Sequence, residues 1–231
     1  MRISVLGTGT VGQALSEKLS ELGHDVFLGT RDPEKTVIKT ERDAFGNPPI
    51  SEWLKANPRV QLLTFREAVE IGSDLIVFAI GGQAAFSCLE LVGADLLSEI
   101  IMIDISNPLD FSKGFPPTLS VSNTDSLGEQ IQRKYPSLKV VKTLNTMSNP
   151  VMVNPKAIDG EHTVFMSGND AAAKASVIQL LQEIGWSTNQ IMDLGDISTA
   201  RGTEMILPLW LRLFGKLQTP FFNFNVNFKQ Q

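Results

Sequence analysis

At 231 residues the chain can hold one large or two modest domains around a real core. With 42% apolar residues, 19% charged residues and a formal charge of −5, it reads as globular, and its acidic balance argues against nucleic acid as a main partner. The single cysteine, Cys88, excludes an internal disulfide and fits a reducing compartment. No apolar run is long enough to span a membrane and the first expected strand opens at residue 2, so the expectation is a cytoplasmic protein without leader or membrane contact.

The chain opens with an apolar strand, Ile3 to Leu6, that runs into Gly7-Thr8-Gly9-Thr10-Val11-Gly12. In a dinucleotide site, Gly7 would allow the tight turn, Gly9 the approach of a pyrophosphate, and Gly12 close packing of the following helix on the sheet. A glycine-rich turn alone is weak evidence, but Val11, Leu15, Leu19 and Leu22 recur at helical spacing and Gly23 ends that helix before a second strand from His24 to Leu28. That strand continues through Gly29, Thr30 and Arg31, and the first carboxylate, Asp32, comes only after the arginine. A carboxylate at the strand end would favour the ribose hydroxyls of NAD. Here a guanidinium fork at Arg31, a hydroxyl donor at Thr30 and a point charge at Lys35 suit a 2′-phosphate, so NADP(H) is the expected cofactor. The alternative is that Arg31 and Lys35 are ordinary surface charges around an Asp32-Pro33 turn.

An irregular stretch from Asp43 to Pro58 includes a short helix with Trp53 and Leu54. Strands are then expected at 60–64, 74–80, 100–105 and 139–143, with helices at 65–71, 84–99 and 126–135, the last capped by Thr124 or Asp125. Repeated strand and helix without hairpin signals implies an open parallel sheet of Rossmann type. Ligands in such sheets lie beyond the carboxyl ends of the strands, which makes Ala79, Ile80 and Gly81, then Ser106, Asn107 and Pro108, and then Asn145 with Thr146 and Ser148 the candidate residues around the nicotinamide and its acceptor. Turn chemistry is the alternative reading of each of these segments. The connection from Asp110 to Asn123 is a candidate flap.

A second unit is expected from Val151, with strands at 163–167 and 191–194, a helix from Ala171 to Ile184 ended by Gly185, and a long helix reaching about Phe214. Arg201 at its start either faces the cleft or pairs with Asp193, Asp196 or Glu204. The tail places Phe222, Phe224, Val226 and Phe228 on one face of an expected strand, to be buried against the chain's own small domain or, together with Trp210, Leu211, Leu213 and Phe214, in a homodimer contact. His24 and His162 lie away from the strand ends, and with one cysteine no metal site is expected.

These motifs resemble the coenzyme F420-dependent NADP oxidoreductase family, whose nucleotide domain is similar to that of the STEAP metalloreductases. The resemblance is carried by Gly7 to Gly12, Gly29-Thr30-Arg31 with Glu34-Lys35, Asp104-Ile105-Ser106-Asn107-Pro108, the run from Val140 to Thr146 and the run from Asp193 to Arg201. It implies a Rossmann domain over 1–150, a small C-terminal α/β domain over 151–231 that closes the acceptor cleft, and a homodimer. It also implies Thr8 and Val11 at the phosphates, Thr30, Arg31 and Lys35 at the 2′-phosphate, and Ile80 with Gly81 near the nicotinamide. Where archaeal members carry a histidine beside the deazaflavin, this chain has Leu144-Asn145-Thr146.

Hydride transfer between stacked rings needs orientation and exclusion of water rather than a catalytic side chain, so no acid or base is named. The leading reading is a hydride-transferring enzyme using NADP(H) with F420 or FMN/FAD as second substrate. Two others stand beside it: a reductase of a small carbonyl or imine with Lys142 or Tyr135 as proton donor, and a non-enzymatic NADP(H) sensor.

Overall fold

The structure, a computed structural model, describes residues 1–42 and 46–229. The start of the irregular stretch expected from Asp43 lies outside the described residues.

In chain order the first half comprises β1 (Arg2–Leu6), α1 (Thr10–Glu21), β2 (Asp25–Thr30), α2 (Pro33–Val37), α3 (Ile50–Ala56), β3 (Gln61–Thr64), α4 (Phe65–Glu70), β4 (Leu75–Phe78), α5 (Ala85–Val92) and β5 (Ile101–Asp104). A short hairpin of β6 (Leu109–Asp110) and β7 (Thr118–Leu119) follows, then α6 (Leu127–Lys134), β8 (Lys139–Thr143) and α7 (Asn149–Val153). The remainder is β9 (Val164–Gly168), α8 (Ala171–Ile184), β10 (Ile191–Asp193), α9 (Ala200–Met205) and α10 (Leu207–Leu217).

Eight strands form one sheet in the order β10-β9-β8-β5-β4-β1-β2-β3. Side chains alternate across it, as strand geometry requires. Ile3, Val5, Leu75 and Val77 face a core built with α1, α3, α7 and α8, while Ile76, Phe78 and Val140 face α4, α5 and α6. Covered on both faces, the strands read as continuous apolar runs. The chain order reverses between β1 and β4, which opens a crevice at their carboxyl ends.

The sheet is not wholly parallel. β9 pairs antiparallel with β8, so residues 151–193 extend the first sheet instead of building one of their own. The connection between the two strands stays at one end of the sheet, where α7 and a turn at Pro155–Ala157 occupy it. A parallel pairing would need a crossover back to the other end.

Several expected boundaries shift for local reasons. α5 stops at Gly93, whose φ of +96° ends the helix well before residue 99. Ser126, not Thr124 or Asp125, caps α6 by accepting the Glu129 N–H. The expected long helix breaks at Ile206 into α9 and α10, because Pro208 has no N–H for Glu204 and its ring crowds that carbonyl.

The tail is not a strand. It is held by Thr163 N–H to the Phe224 carbonyl at 2.8 Å, by Ser148 Oγ to the Pro220 carbonyl at 2.6 Å, and by the Asn223 amide, which donates to buried His162 Nδ1 at 3.0 Å. Phe222 and Phe224 are half-buried, but Val226 and Phe228 are 39% and 69% exposed, so the expected apolar face ends where the chain's own surface ends.

Two glycines shape the first turn. Gly7 has φ +119°, and a Cβ there would lie 2.4 Å from the Ala79 carbonyl oxygen. A Cβ on Gly12 would lie 1.8 Å from the Gly7 carbonyl oxygen, so Gly12 serves the close approach of helix to loop more than of helix to sheet. Gly12→Ala is therefore expected to cost at least about 1–3 kcal/mol through overpacking, read as a lowered urea midpoint with weakened NADPH binding.

Candidate functional site

The site begins where β1 turns into α1. The first N–H groups of a helix have no partner within it, and the cap position Gly9 offers no side chain to satisfy them. A Cβ on Gly9 would meet no atom within 4 Å, so the helix end is open to an anion. Gln13 Nε2 donates to the Thr8 carbonyl at 2.9 Å and fixes the loop.

At the end of β2 the three expected phosphate ligands differ in what they have free. Thr36 Oγ1 donates to the Asp32 carbonyl, so in its 2.9 Å pair with Thr30 Oγ1 the proton comes from Thr30. That hydroxyl is turned inward and does not offer its hydrogen to a ligand, contrary to expectation. Lys35 is paired with Asp32 at 2.9 Å, and the Lys35 backbone N–H followed by its side chain holds the Asp32 carboxyl below its usual range. Arg31 is exposed and has no ion-pair partner among the described residues. Its charge reaches toward α5: burial pushes the Cys88 thiol up to about 12, and Arg31 pulls it back slightly.

A groove of 660 Å³ lies over Thr8, Gly9 and Thr10 and is flanked by Lys39 and Arg42. The sequence reading missed these two cations, which sit in the irregular chain after α2 where no periodic signal points to them.

A second cleft of 480 Å³ lies beyond the ends of β4, β5 and β8. It brings together Val11, Ala79, Ile80, Gly81, Ser106, Asn107 and Asn145. Pro108 is outside it, buried, with its carbonyl accepting the Ser120 N–H at 2.8 Å to anchor the β6–β7 hairpin. Asn107 Nδ2 donates to the Asn145 carbonyl at 2.9 Å, and Asn145 Nδ2 donates to Asn107 Oδ1 at 3.0 Å. The chain reaches this pairing through Leu144, a bulky residue at φ +62° that is 2% exposed. Such a conformation costs about 1–3 kcal/mol and persists only when its surroundings enforce it. Asn145 Oδ1 and Thr146 Oγ1 are buried without a partner among the described residues. Ser148 is spent on the tail.

The far walls were not foreseen as part of the site. Leu207 and Trp210 come from α10, Met147 and Met152 from the chain around α7, and Leu109 and Phe111 from the hairpin. The Trp210 ring stacks on Phe214 at 5.5 Å and on Phe222 at 5.1 Å, so the tail fixes its plane. In sequence these aromatics read only as apolar surface.

Beneath Ser106 lies an ionic cluster. Asp104 Oδ1 accepts from Ser106 N at 2.9 Å and Oγ at 2.6 Å, and Lys142 Nζ meets Asp104 Oδ2 at 2.9 Å, Glu204 Oε1 at 2.8 Å and the Ser106 carbonyl at 2.5 Å. Glu204 also accepts the Leu127 and Gly128 N–H groups at the start of α6. Burial works against the charge on Lys142, but the two carboxylates override it and raise its pKa above the ordinary lysine value. Its charge thus supports the fold below about pH 10.4 and is lost only as pH rises through the raised value. Fully buried and held charged, Lys142 is no proton donor to the cleft; Tyr135 does not line it either. Arg201 pairs with none of its expected partners. It holds Glu129 through two bonds of 2.8 and 2.6 Å, and this hydrogen bonding from Arg201 lowers the Glu129 pKa.

Among the described residues no cluster of three or more histidine, cysteine or acidic side chains could hold a metal, and no helix is long and apolar enough to cross a membrane.

A family profile described as NADP oxidoreductase, coenzyme F420-dependent, matches residues 2–108. The crystal structure of an Arthrobacter sp. FB24 protein assigned as an F420-dependent NADP-reductase is 51% identical, superimposes with a TM-score of 0.92, and is covered over 99% of this chain and 100% of that one. The chain belongs to the coenzyme F420-dependent NADP oxidoreductase family. The F420-dependent NADP reductase of Methanothermobacter marburgensis is 25% identical over 218 residues, 92% of each chain. Metalloreductase STEAP3 of Rattus norvegicus is 25% identical over 214 residues, 90% of this chain, which spans only 38% of that relative's length. In this family member the nucleotide loop and the strand-end cleft thus share one crevice, with the charged cluster beneath it.

Replacing Lys142 with methionine leaves two buried carboxylates facing each other without their cation. Lys142→Met is expected to cost about 3–5 kcal/mol, measured by urea unfolding at neutral pH.

Proposed function

We propose that this family member is an enzyme that passes a hydride between NADP(H) and coenzyme F420 or a flavin-like ring bound in the 480 Å³ cleft. The observation that carries this reading is the position of the cleft. It opens at the sheet's switch point, shares Val11 with the phosphate loop, and has no acid or base among its described lining residues. When bound, the cofactor supplies a hydride at C4 of its nicotinamide.

The chain's own part is to hold and to orient. The open N-terminus of α1 suits the pyrophosphate, and the exposed guanidinium of Arg31, without an ion-pair partner among the described residues, suits the 2′-phosphate, with Lys35 close by. Asn145 Oδ1, a buried acceptor without a partner, suits a carboxamide N–H, and the aliphatic and aromatic walls keep water from the transfer. Residues 1–150 would carry the nucleotide site, while Met152, Leu207 and Trp210 from the 151–231 segment close the acceptor side. A carbonyl or imine acceptor fits less well, because neither Lys142 nor Tyr135 faces the cleft. The buried, reduced Cys88 agrees with a cytoplasmic setting.

Stopped-flow absorbance of the reduced nicotinamide with F420, FMN, FAD and riboflavin tests the reading. Rapid single-turnover oxidation by one of them is expected, and tight NADPH binding with transfer to none would point instead to a sensor. Arg31→Ala is expected to reduce the preference for NADPH over NADH by about 1.5–3 kcal/mol, roughly 10- to 150-fold, in parallel kcat/KM measurements. An unchanged preference would remove Arg31 from the phosphate site.

We further propose a homodimer through α10 and the tail, where Leu209, Leu217, Phe221 and Phe228 are 53%, 50%, 50% and 69% exposed. Light scattering should show a dimer that truncation before Phe221 converts to monomer; unchanged mass would place the interface elsewhere.

A further inference from the structure

The acceptor cleft is lined by aliphatic, methionine and aromatic side chains, by backbone, and by Ser106, Asn107, Asn145 and Gln83. Among the described residues no aspartate, glutamate, lysine, arginine or histidine lines it. Its polar groups are mostly committed: Ser106 Oγ donates to Asp104, and Asn107 and Asn145 bond each other. The buried cluster under its floor holds two carboxylates to one ammonium and so offers an anion nothing. The groove over the phosphate loop, by contrast, is lined by two cations, Lys39 and Arg42, and one carboxylate, Glu41.

We propose that the cleft selects the ring of its acceptor and makes no contact with the acidic part of the acceptor's side chain, so that uncharged riboflavin binds as well as FMN or FAD. The proposal rests on the reading that the acceptor ring enters this cleft. A phosphate drawn inside would be a desolvated charge without a partner, so it stays in solvent. Specificity then comes from shape, from apolar contact with Trp210 and Phe111, and from the polar edge of the ring. Two buried polar atoms of the lining have no partner among the described residues: Asn145 Oδ1, an acceptor suited to the nicotinamide carboxamide, and Trp210 Nε1, a donor left for the polar edge of the acceptor ring.

Equilibrium dialysis of riboflavin, FMN and FAD against the full chain saturated with NADP⁺, at low and high salt, tests this alongside NADPH oxidation by the same flavins and by F420. The three dissociation constants should agree within about threefold and stay unchanged by salt, since no ion pair is screened. Trp210→Ala should weaken all three by a common factor of about ten, the loss of one aromatic wall of the cleft. Phe111→Ala, on the exposed hairpin, should act in the same direction and serves if the first variant does not fold. A preference for FMN or FAD of about tenfold or more that collapses at high salt would reveal a cation at the phosphate and overturn the proposal. So would the absence of flavin binding, even if F420 oxidises NADPH. Equal binding of all three with no NADPH oxidation by any acceptor would leave the proposal standing and remove the hydride reading, whereas salt-sensitive discrimination with fast oxidation would do the reverse.

Discussion

Lys142 lies where four parts of the molecule meet. Its ammonium group touches β5 through Asp104, the strand-end turn through the Ser106 carbonyl, and α9 through Glu204, which in turn holds the first two N–H groups of α6. A buried ion is tolerated only when each of its partners is in place, so this cluster permits one arrangement of β5, β8, α6 and α9. Arg201 reinforces the docking of α9 from the outer side through Glu129. Ser106 and Asn107, at the floor of the cleft, are therefore fixed from below, and α10, which follows α9 directly, is carried over the cleft as a wall.

The strain at Leu144 belongs to the same economy of position. β8 has to deliver Lys142 into the cluster and, within three residues, bring Asn145 back toward Asn107. A left-handed residue makes that reversal in one step, and the buried leucine side chain holds it there. The floor of the cleft thus combines an ionic anchor below with a strained turn above, which is how a site made largely of small side chains can be stiff.

Much of this was legible in the sequence where local chemistry decides local structure. The glycine loop, its helix, the central strands and the helix from Ala171 to Ile184 follow from periodicity and from residues whose backbone needs are unambiguous. Val11, Ala79, Ile80, Gly81, Ser106, Asn107 and Asn145 were identifiable because strand ends gather at the switch point of any such sheet. What stayed hidden depends on partners distant in sequence. Nothing near residue 201 signals Glu129, nothing near Lys142 signals Glu204, and the direction of β9 depends on which end of the sheet its connection occupies. The tail shows the opposite error: its alternation is real in sequence, yet a strand needs a neighbour along its whole length, and the chain provides one only as far as Phe224.

Trp210 stacks on both Phe214 and Phe222, and Phe222 belongs to a segment held by Ser148, His162 and Thr163. Any molecule in the cleft that touches the indole therefore shares an equilibrium with the docking of the tail. By reciprocity, the factor by which the docked tail tightens the grip on such a molecule equals the factor by which the molecule stabilises the docked tail. Residues 220–224, remote in sequence from every strand end, become a coupled second site whose occupant is the protein's own chain.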